Sequence, residues 1–240
     1  MKKFNLKQLN IIKRSQQSMQ LSHSTLVNTI SSGNEASLSN FLYTSITTRP
    51  NWKQDYNNLS ITKEMQDAYI RVTKTSTKGN SAWSQFDVLK GLQQGQGDWK
   101  IYFTPSNEDV FTFINAIPDL SQYLKPIADK YQMNLDYKVP TTLTGFIGIN
   151  DRLVLHFSNK SAIEEIKQAV SQWASSIGIS FGNRTHNVGQ DSENDGSWTE
   201  RICQDYASKA IQYFNTGQWS ADQIAQWIEQ NLQNSLSQLS

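Results

Sequence analysis

Three short stretches of the chain repeat one pattern. Trp99-Lys-Ile-Tyr-Phe103, Leu135-Asp-Tyr-Lys-Val139 and Arg152-Leu-Val-Leu-His-Phe157 each alternate apolar residues with polar, chemically capable ones. Alternate residues of a strand point to opposite faces. Each stretch therefore reads as a strand with Lys100 and Tyr102, Asp136 and Lys138, or Arg152 and His156 on the face opposite its apolar side chains. If the three strands are neighbours, that face gathers two ammonium groups, a guanidinium, an imidazole and a phenol, a set suited to holding a phosphate dianion and moving protons beside it. Only Asp136 accompanies three cations there, with Asp98 just ahead of the first strand able to neutralise one of them. The plainer alternative is an antiparallel sheet whose second face is wet.

Further candidates lie downstream. Asn183-Arg184-Thr185-His186 sits in a stretch from Gly182 to Gly196 without periodicity, read as a polar loop; Arg184 and His186 would add a second guanidinium and imidazole over the site. Arg201 falls in the first turn of the next helix, where a cation is unfavourable to the helix dipole, so it answers to a ligand or to a nearby acid such as Asp191 or Glu193. The single cysteine, Cys203, excludes an intramolecular disulfide framework and a multi-cysteine zinc site. A nucleophilic role for it is formally open, but a helical thiol beside apolar residues reads first as a small core residue. His23, His156 and His186 never fall at the spacing of a two-histidine helical metal motif, so no bound metal and no cofactor are expected. Gly95-Gln-Gly97 lacks the rest of a nucleotide-binding glycine loop, and no Gly-x-Ser-x-Gly elbow occurs.

The elements that must position these groups can be read in outline. Between the first two strands, helices are expected over Val110, Phe113, Ile114 and Ile117, and over Leu120, Leu124, Ile127 and Tyr131. A Thr- and Gly-rich connection joins the second strand to the third. Ile163, Ile166, Val170, Trp173 and Ile177 make a helix closed by Gly178, and Ile179-Ser-Phe181 a last short strand. Two capping boxes, Ser197-Trp-Thr-Glu200 and Ser220-Ala-Asp-Gln223, open amphipathic helices. The fold class is α+β, a small, mainly antiparallel sheet covered by helices, with a helical N-terminal region. Residues 1–80 form that polar, helical region, a place for partner or peptide binding, with short helices broken at Ser31-Ser-Gly33-Asn34 and Arg49-Pro50-Asn51; residues 81–240 form the α+β domain, entered by an amphipathic segment with Trp83, Phe86 and Leu89.

The 240 residues carry Lys+Arg 22 against Asp+Glu 21, so bulk charge does not hold the chain to nucleic acid. Aromatic residues at 11% with seven Trp provide for a packed core and argue against disorder. Asn and Gln number about 43, as many as all charged side chains together, and belong mostly on solvated surface. The start Met1-Lys-Lys-Phe-Asn-Leu-Lys is not followed by an apolar run of about 7–15 residues, and no stretch approaches about 18 apolar residues. The reading is a soluble protein made in the bacterial cytoplasm, without a membrane partner; export by a route that reads no cleavable signal stays open.

The order of Gly97-Asp-Trp-Lys-Ile-Tyr-Phe103, Leu135-Asp-Tyr-Lys-Val139, Asp151-Arg-Leu-Val-Leu-His-Phe157 and Ser197-Trp-Thr-Glu-Arg-Ile-Cys203 resembles the HopA-type effector family and the related lyase domains of lanthipeptide biosynthesis, which are similar in turn to bacterial phosphothreonine lyases. The likeness covers roughly residues 95–215. It implies a lyase-like domain that eliminates phosphate from phosphoserine or phosphothreonine in a precursor peptide, leaving dehydroalanine or dehydrobutyrine, with no metal. By the family pattern Lys100 would bind phosphate and Tyr102 would donate a proton. Lys138, before a valine, would be the base that takes the Cα proton, a role that desolvation and neighbouring cations would favour by depressing its pKa. Arg152, Arg184 and Arg201 would hold phosphate oxygens, the last with a one-residue offset from the family's arginine. Tyr stands at 102 where the lyases have His, so Tyr102, His156 and His186 all stay open as the proton donor. The implied partners are a phosphorylated peptide or protein and a separate kinase and cyclase of the same pathway. The alternative from another class is a non-catalytic effector or phosphopeptide-binding module using the same cationic face.

Overall fold

The computed structural model describes residues 21–49, 51–80, 82–91, 98–181, 187–191 and 198–237. In chain order the elements are α1 (His23–Ser31), α2 (Glu35–Thr47), α3 (Trp52–Asn58), α4 (Lys63–Thr73), β1 (Lys78–Gly79), β2 (Trp83–Leu89), β3 (Asp98–Phe103), α5 (Val110–Ala116), α6 (Leu120–Tyr131), β4 (Leu135–Pro140), α7 (Leu143–Gly148), β5 (Leu153–Phe157), α8 (Ile163–Ser176), β6 (Asn187–Asp191), α9 (Trp198–Asn215) and α10 (Ala221–Ser237). The class is α+β, as the patterning implies. The strands form one sheet in the order β1-β2-β4-β5-β3-β6 with every neighbouring pair antiparallel.

Contacts divide the chain into two compact units, one formed by residues through Ile46 with Cys203–Asn234, the other chiefly by Thr47–Ile202. The change of texture near residue 80 is therefore not the boundary between them. Composition reports how much of a segment meets water, not which segment it packs on. Tyr69, in the polar first third, is buried in the core of the sheet unit and its hydroxyl donates to the Pro140 carbonyl at 2.8 Å.

In the sheet unit, Ile101, Phe103, Leu135, Tyr137, Val139, Leu153, Leu155 and Phe157 project from one sheet face into a core shared with Phe113, Leu124, Val170 and Trp173 of the helices. The α8 helix ends as its sequence predicts: Gly178 takes φ +75°, a left-handed turn that costs glycine little, while the N–H groups of Gly178 and Ile179 return to the Ser175 and Ala174 carbonyls.

In the helical unit, Leu26, Ile30, Leu38, Leu42, Ala207, Ile224, Ile228 and Leu232 are buried, together with Cys203. The Ser220 capping box forms as expected, with Ser220 N–H on Gln223 Oε1 at 2.9 Å and Gln223 N–H on Ser220 Oγ at 3.3 Å. Ser197 lies outside the described residues.

Four segments differ from the sequence reading. Trp83, Phe86 and Leu89 have helical spacing but belong to strand β2: pairing with β4 turns Ser84 and Phe86 inward, and a bulge between Asp87 and Leu89 carries Leu89 inward too. Asn187–Asp191, within the supposed polar loop, is strand β6, held by its pairing with β3 rather than by any apolar alternation. The Thr- and Gly-rich connection holds helix α7, capped by Thr142 Oγ1 on the Gly145 N–H at 3.0 Å. Phe181 makes a single bridge with Pro105 and no strand.

Candidate functional site

The register of four adjacent strands decides which polar groups meet. Lys100 of β3 lies opposite His156 of β5, His156 opposite Asp136 of β4, and Asp136 opposite Asp87 of β2. One row further, Tyr102 lies opposite Val154, Val154 opposite Lys138, and Lys138 opposite Gln85. Directly opposed residues stand about 4.5–5.5 Å apart at their Cα atoms, so Lys100, Tyr102, Asp136, Lys138 and His156 share one patch of the face turned away from the helices' core.

This face is not a wet one. Lys100 is 5% exposed, Tyr102 8% and Val154 1%, while Asp136, Lys138 and His156 are half-buried. Lys138 Nζ sits 4.8 Å from the centre of the Trp83 ring, and Lys90 pairs with Asp87 at the edge of the same patch. Burial pushes the His156 imidazole down to about 2, and Lys138, Lys100 and Lys90 push in the same direction. Its ring is therefore neutral near pH 7. The three lysines acting on one imidazole mark the patch as locally cationic, although the chain as a whole is nearly neutral.

Arg152 is placed differently. It precedes the paired residues of β5, so strand alternation does not hold it to the polar face. Its fully buried guanidinium lies 5.0 Å from the centre of the Phe146 ring. Nε donates to the Ile149 carbonyl at 3.2 Å, Nη1 to that of Pro105 at 2.5 Å, and Nη2 to Asn107 Oδ1 and the Ile147 carbonyl. Asn107 Oδ1 also accepts from Arg49 Nη1 at 2.8 Å, and Arg49 Nη2 pairs with Asp55 Oδ2 at 3.0 Å. Burial pushes Arg152 down to about 9, Arg49 adds to this, and Asp55 opposes it. These contacts tie the turns around α7 and the 105–107 segment together.

Arg201 is half-buried in the first turn of α9 and belongs to the sheet unit. Arg184 and His186 lie outside the described residues. Trp83, Gln85, Asp87 and Lys90 were missed as site residues because β2 was not read as a strand; the alternation of Ser84 and Phe86 against Gln85 and Asp87 was the available signal. Among the described residues no cluster of three or more His, Cys, Asp or Glu could hold a metal ion, and no helix is long and apolar enough to cross a membrane.

No family model matches the chain, and no curated protein matches it. Among solved structures, it is similar to an effector protein from Pseudomonas syringae pv. syringae strain 61, with 8% identity and a TM-score of 0.42 over 90% of this chain and 97% of that one. It is also similar to an effector protein from Pseudomonas syringae pv. tomato strain DC3000, with 11% identity and a TM-score of 0.36 over 94% of this chain and 91% of that one.

Proposed function

We propose that the chain is a phosphoserine/phosphothreonine lyase whose reaction takes place on the polar face of the sheet. The observation that carries this reading is the burial of Lys100 and Tyr102 on one face with Lys138 and His156, where β3 and β4 supply their expected pairs, β5 supplies His156 without Arg152, and the helices occupy the other side. In this scheme Lys100 holds phosphate oxygens. Lys138 Nζ, once it has released its ammonium proton to solvent, takes the Cα proton; the Cα–H electrons become the Cα=Cβ bond, the Cβ–O bond breaks, and phosphate leaves with the electron pair. Tyr102 or His156 gives the departing oxygen a proton. Arg201 is a candidate for a further phosphate contact, as are Arg184 and His186 of the segment before β6; Arg152 acts through the scaffold that it ties together. The substrate is a phosphorylated peptide supplied by a kinase, and the dehydroamino acid is the electrophile that a cyclase would consume.

The test is incubation with phosphoserine and phosphothreonine peptides followed by mass spectrometry. The expected product has lost phosphoric acid; recovery of the plain alcohol would identify a phosphatase instead. Lys138→Ala should lower turnover by about 10²–10⁴-fold while the phosphopeptide still binds.

A second reading, a phosphopeptide-binding module without chemistry, is favoured by the ring of Trp83 over Lys138 Nζ. A cation–π contact stabilises the ammonium, the form that attracts an anion and cannot accept a proton. Such a protein binds phosphopeptides with salt-sensitive affinity and yields no dehydroamino acid.

A further inference from the structure

We propose that His156 is an anion-gated proton carrier: it is neutral in the ligand-free protein and takes one proton from solvent when a dianion seats between Lys100 and Lys138. The inference rests on the reading of this face as a phosphate site and adds where the reaction's proton comes from.

The geometry puts His156 at the centre of the patch. Its cross-strand neighbours are Lys100 on β3 and Asp136 on β4; Lys138 is one row away on β4, Tyr102 one row away on β3, and Lys90 follows β2. Of the described carboxylates on this face, Asp87 is engaged by Lys90, which leaves Asp136 as the acid beside the imidazole. Protonating the ring would add a fourth cation beside the buried Lys100, the half-buried Lys138 and the more exposed Lys90. A bound dianion reverses that balance, because it cancels two positive charges at the place where they act.

Burial and the three lysines hold the ring near 2 without a ligand, far below its ordinary 6.5. A dianion that offsets the lysines brings it back toward the range where one proton enters at pH 5.5–6.5. The imidazole lone pair takes H⁺ from solvent as the anion enters. During elimination the N–H bond breaks and that proton passes to the oxygen that has received the Cβ–O electron pair. The acid is thus charged only when a substrate phosphate is present, which keeps a cation out of the site in the absence of substrate.

Sulfate is the probe, because it remains a dianion over this pH range and any proton taken up belongs to the protein. Titration calorimetry in buffers of different ionisation enthalpy should show about half a proton taken up per sulfate at pH 6 and about one at pH 5, and below about pH 5.5 affinity should rise about tenfold for each unit of pH lowered. His156→Gln should show uptake near zero and a sulfate affinity that no longer rises as the pH is lowered. In the wild-type protein, which needs no variant to fold, ¹⁵N NMR of the histidine rings should show His156 neutral alone and cationic with sulfate. Sulfate binding without uptake, uptake that survives in His156→Gln, or a ring already cationic without sulfate would overturn the inference and leave the phosphate site standing. Failure of both sulfate and phosphopeptide to bind would sink the site itself. Proton uptake without elimination would remove only the lyase reading.

Discussion

Lys100 and His156 are direct cross-strand partners on β3 and β5, an ammonium group set beside an imidazole that is held neutral. A neutral ring adds no charge beside the ammonium, and the cross-strand row continues from His156 to the carboxylate of Asp136 on β4. The pair is separated from the apolar core only by the thickness of the sheet.

The Trp83 ring should tune Lys138. A cation–π contact favours the ammonium by about 0.5–2 kcal/mol. Trp83→Ala is expected to move the rising limb of the pH–rate profile to lower pH by up to about one and a half units. Trp83→Phe, which keeps an aromatic face, should leave the limb nearly in place. A profile unmoved by either change would show that the ring does not act on the base.

Arg152 should behave as scaffold. Its loss removes the side-chain donor from the Pro105 and Ile149 carbonyls and leaves Asn107 Oδ1 with Arg49 alone, so Arg152→Ala is expected to cost about 2–4 kcal/mol in urea unfolding. Arg152→Lys should recover little, because an ammonium cannot reproduce the fork. The phosphopeptide affinity of the folded Lys variant should stay within a few-fold of wild type. A large loss of affinity at unchanged stability would assign Arg152 to the phosphate after all.

In the helical unit, His23 bridges two carboxylates of α10, with Nε2 on Asp222 Oδ1 at 3.0 Å and Nδ1 on Glu229 Oε1 at 2.9 Å. Both nitrogens face acceptors, so the imidazolium is the form that fits, and the Asp222 hydrogen bond followed by the Glu229 bond raises its pKa above 6.5. A raised folded pKa gives stability that is fully present below about pH 6.5 and is lost as pH rises through the folded value. Urea midpoints should therefore fall between pH 6 and pH 8.5 in wild type, and less in His23→Gln. Equal falls in the two proteins would exclude the bridge as their source.

Cys203 is buried in the helical unit. A disulfide reagent should react with it only on unfolding, and Cys203→Ala should retain full turnover at a cost of about 1 kcal/mol in stability. Loss of turnover in a folded Cys203→Ala protein would restore the thiol as a nucleophile.

Much of the sheet site was legible because strand alternation is local. Lys100 with Tyr102, and Asp136 with Lys138, each needed only their own strand to be recognised. Trp83 and Asp87 were not legible: spacing of three between apolar residues suggested a helix, and only pairing with β4 made β2 a strand. Strand β6 escaped for a related reason, since Asn187-Val-Gly-Gln-Asp191 has no apolar alternation and owes its form to backbone hydrogen bonds with β3. Arg152 has the parity of the polar face, but it lies one residue before the paired register and follows its buried carbonyl partners instead.

By itself, the sequence determined the α+β class, the three polar strand faces, the Gly178 stop and the Ser220 cap, all of which rest on interactions among residues close in the chain. Tertiary structure alone decided the strand order that sets Lys100 and Lys138 on either side of His156, the withdrawal of Arg152 into a cage of carbonyls, and the joining of helices α1 and α2 with α10 into one helical unit. The physical reason is the same in each case. Periodicity fixes which way a side chain points from its own element, while the partners it meets depend on hydrophobic burial and hydrogen bonds between segments far apart in sequence, which no local pattern records.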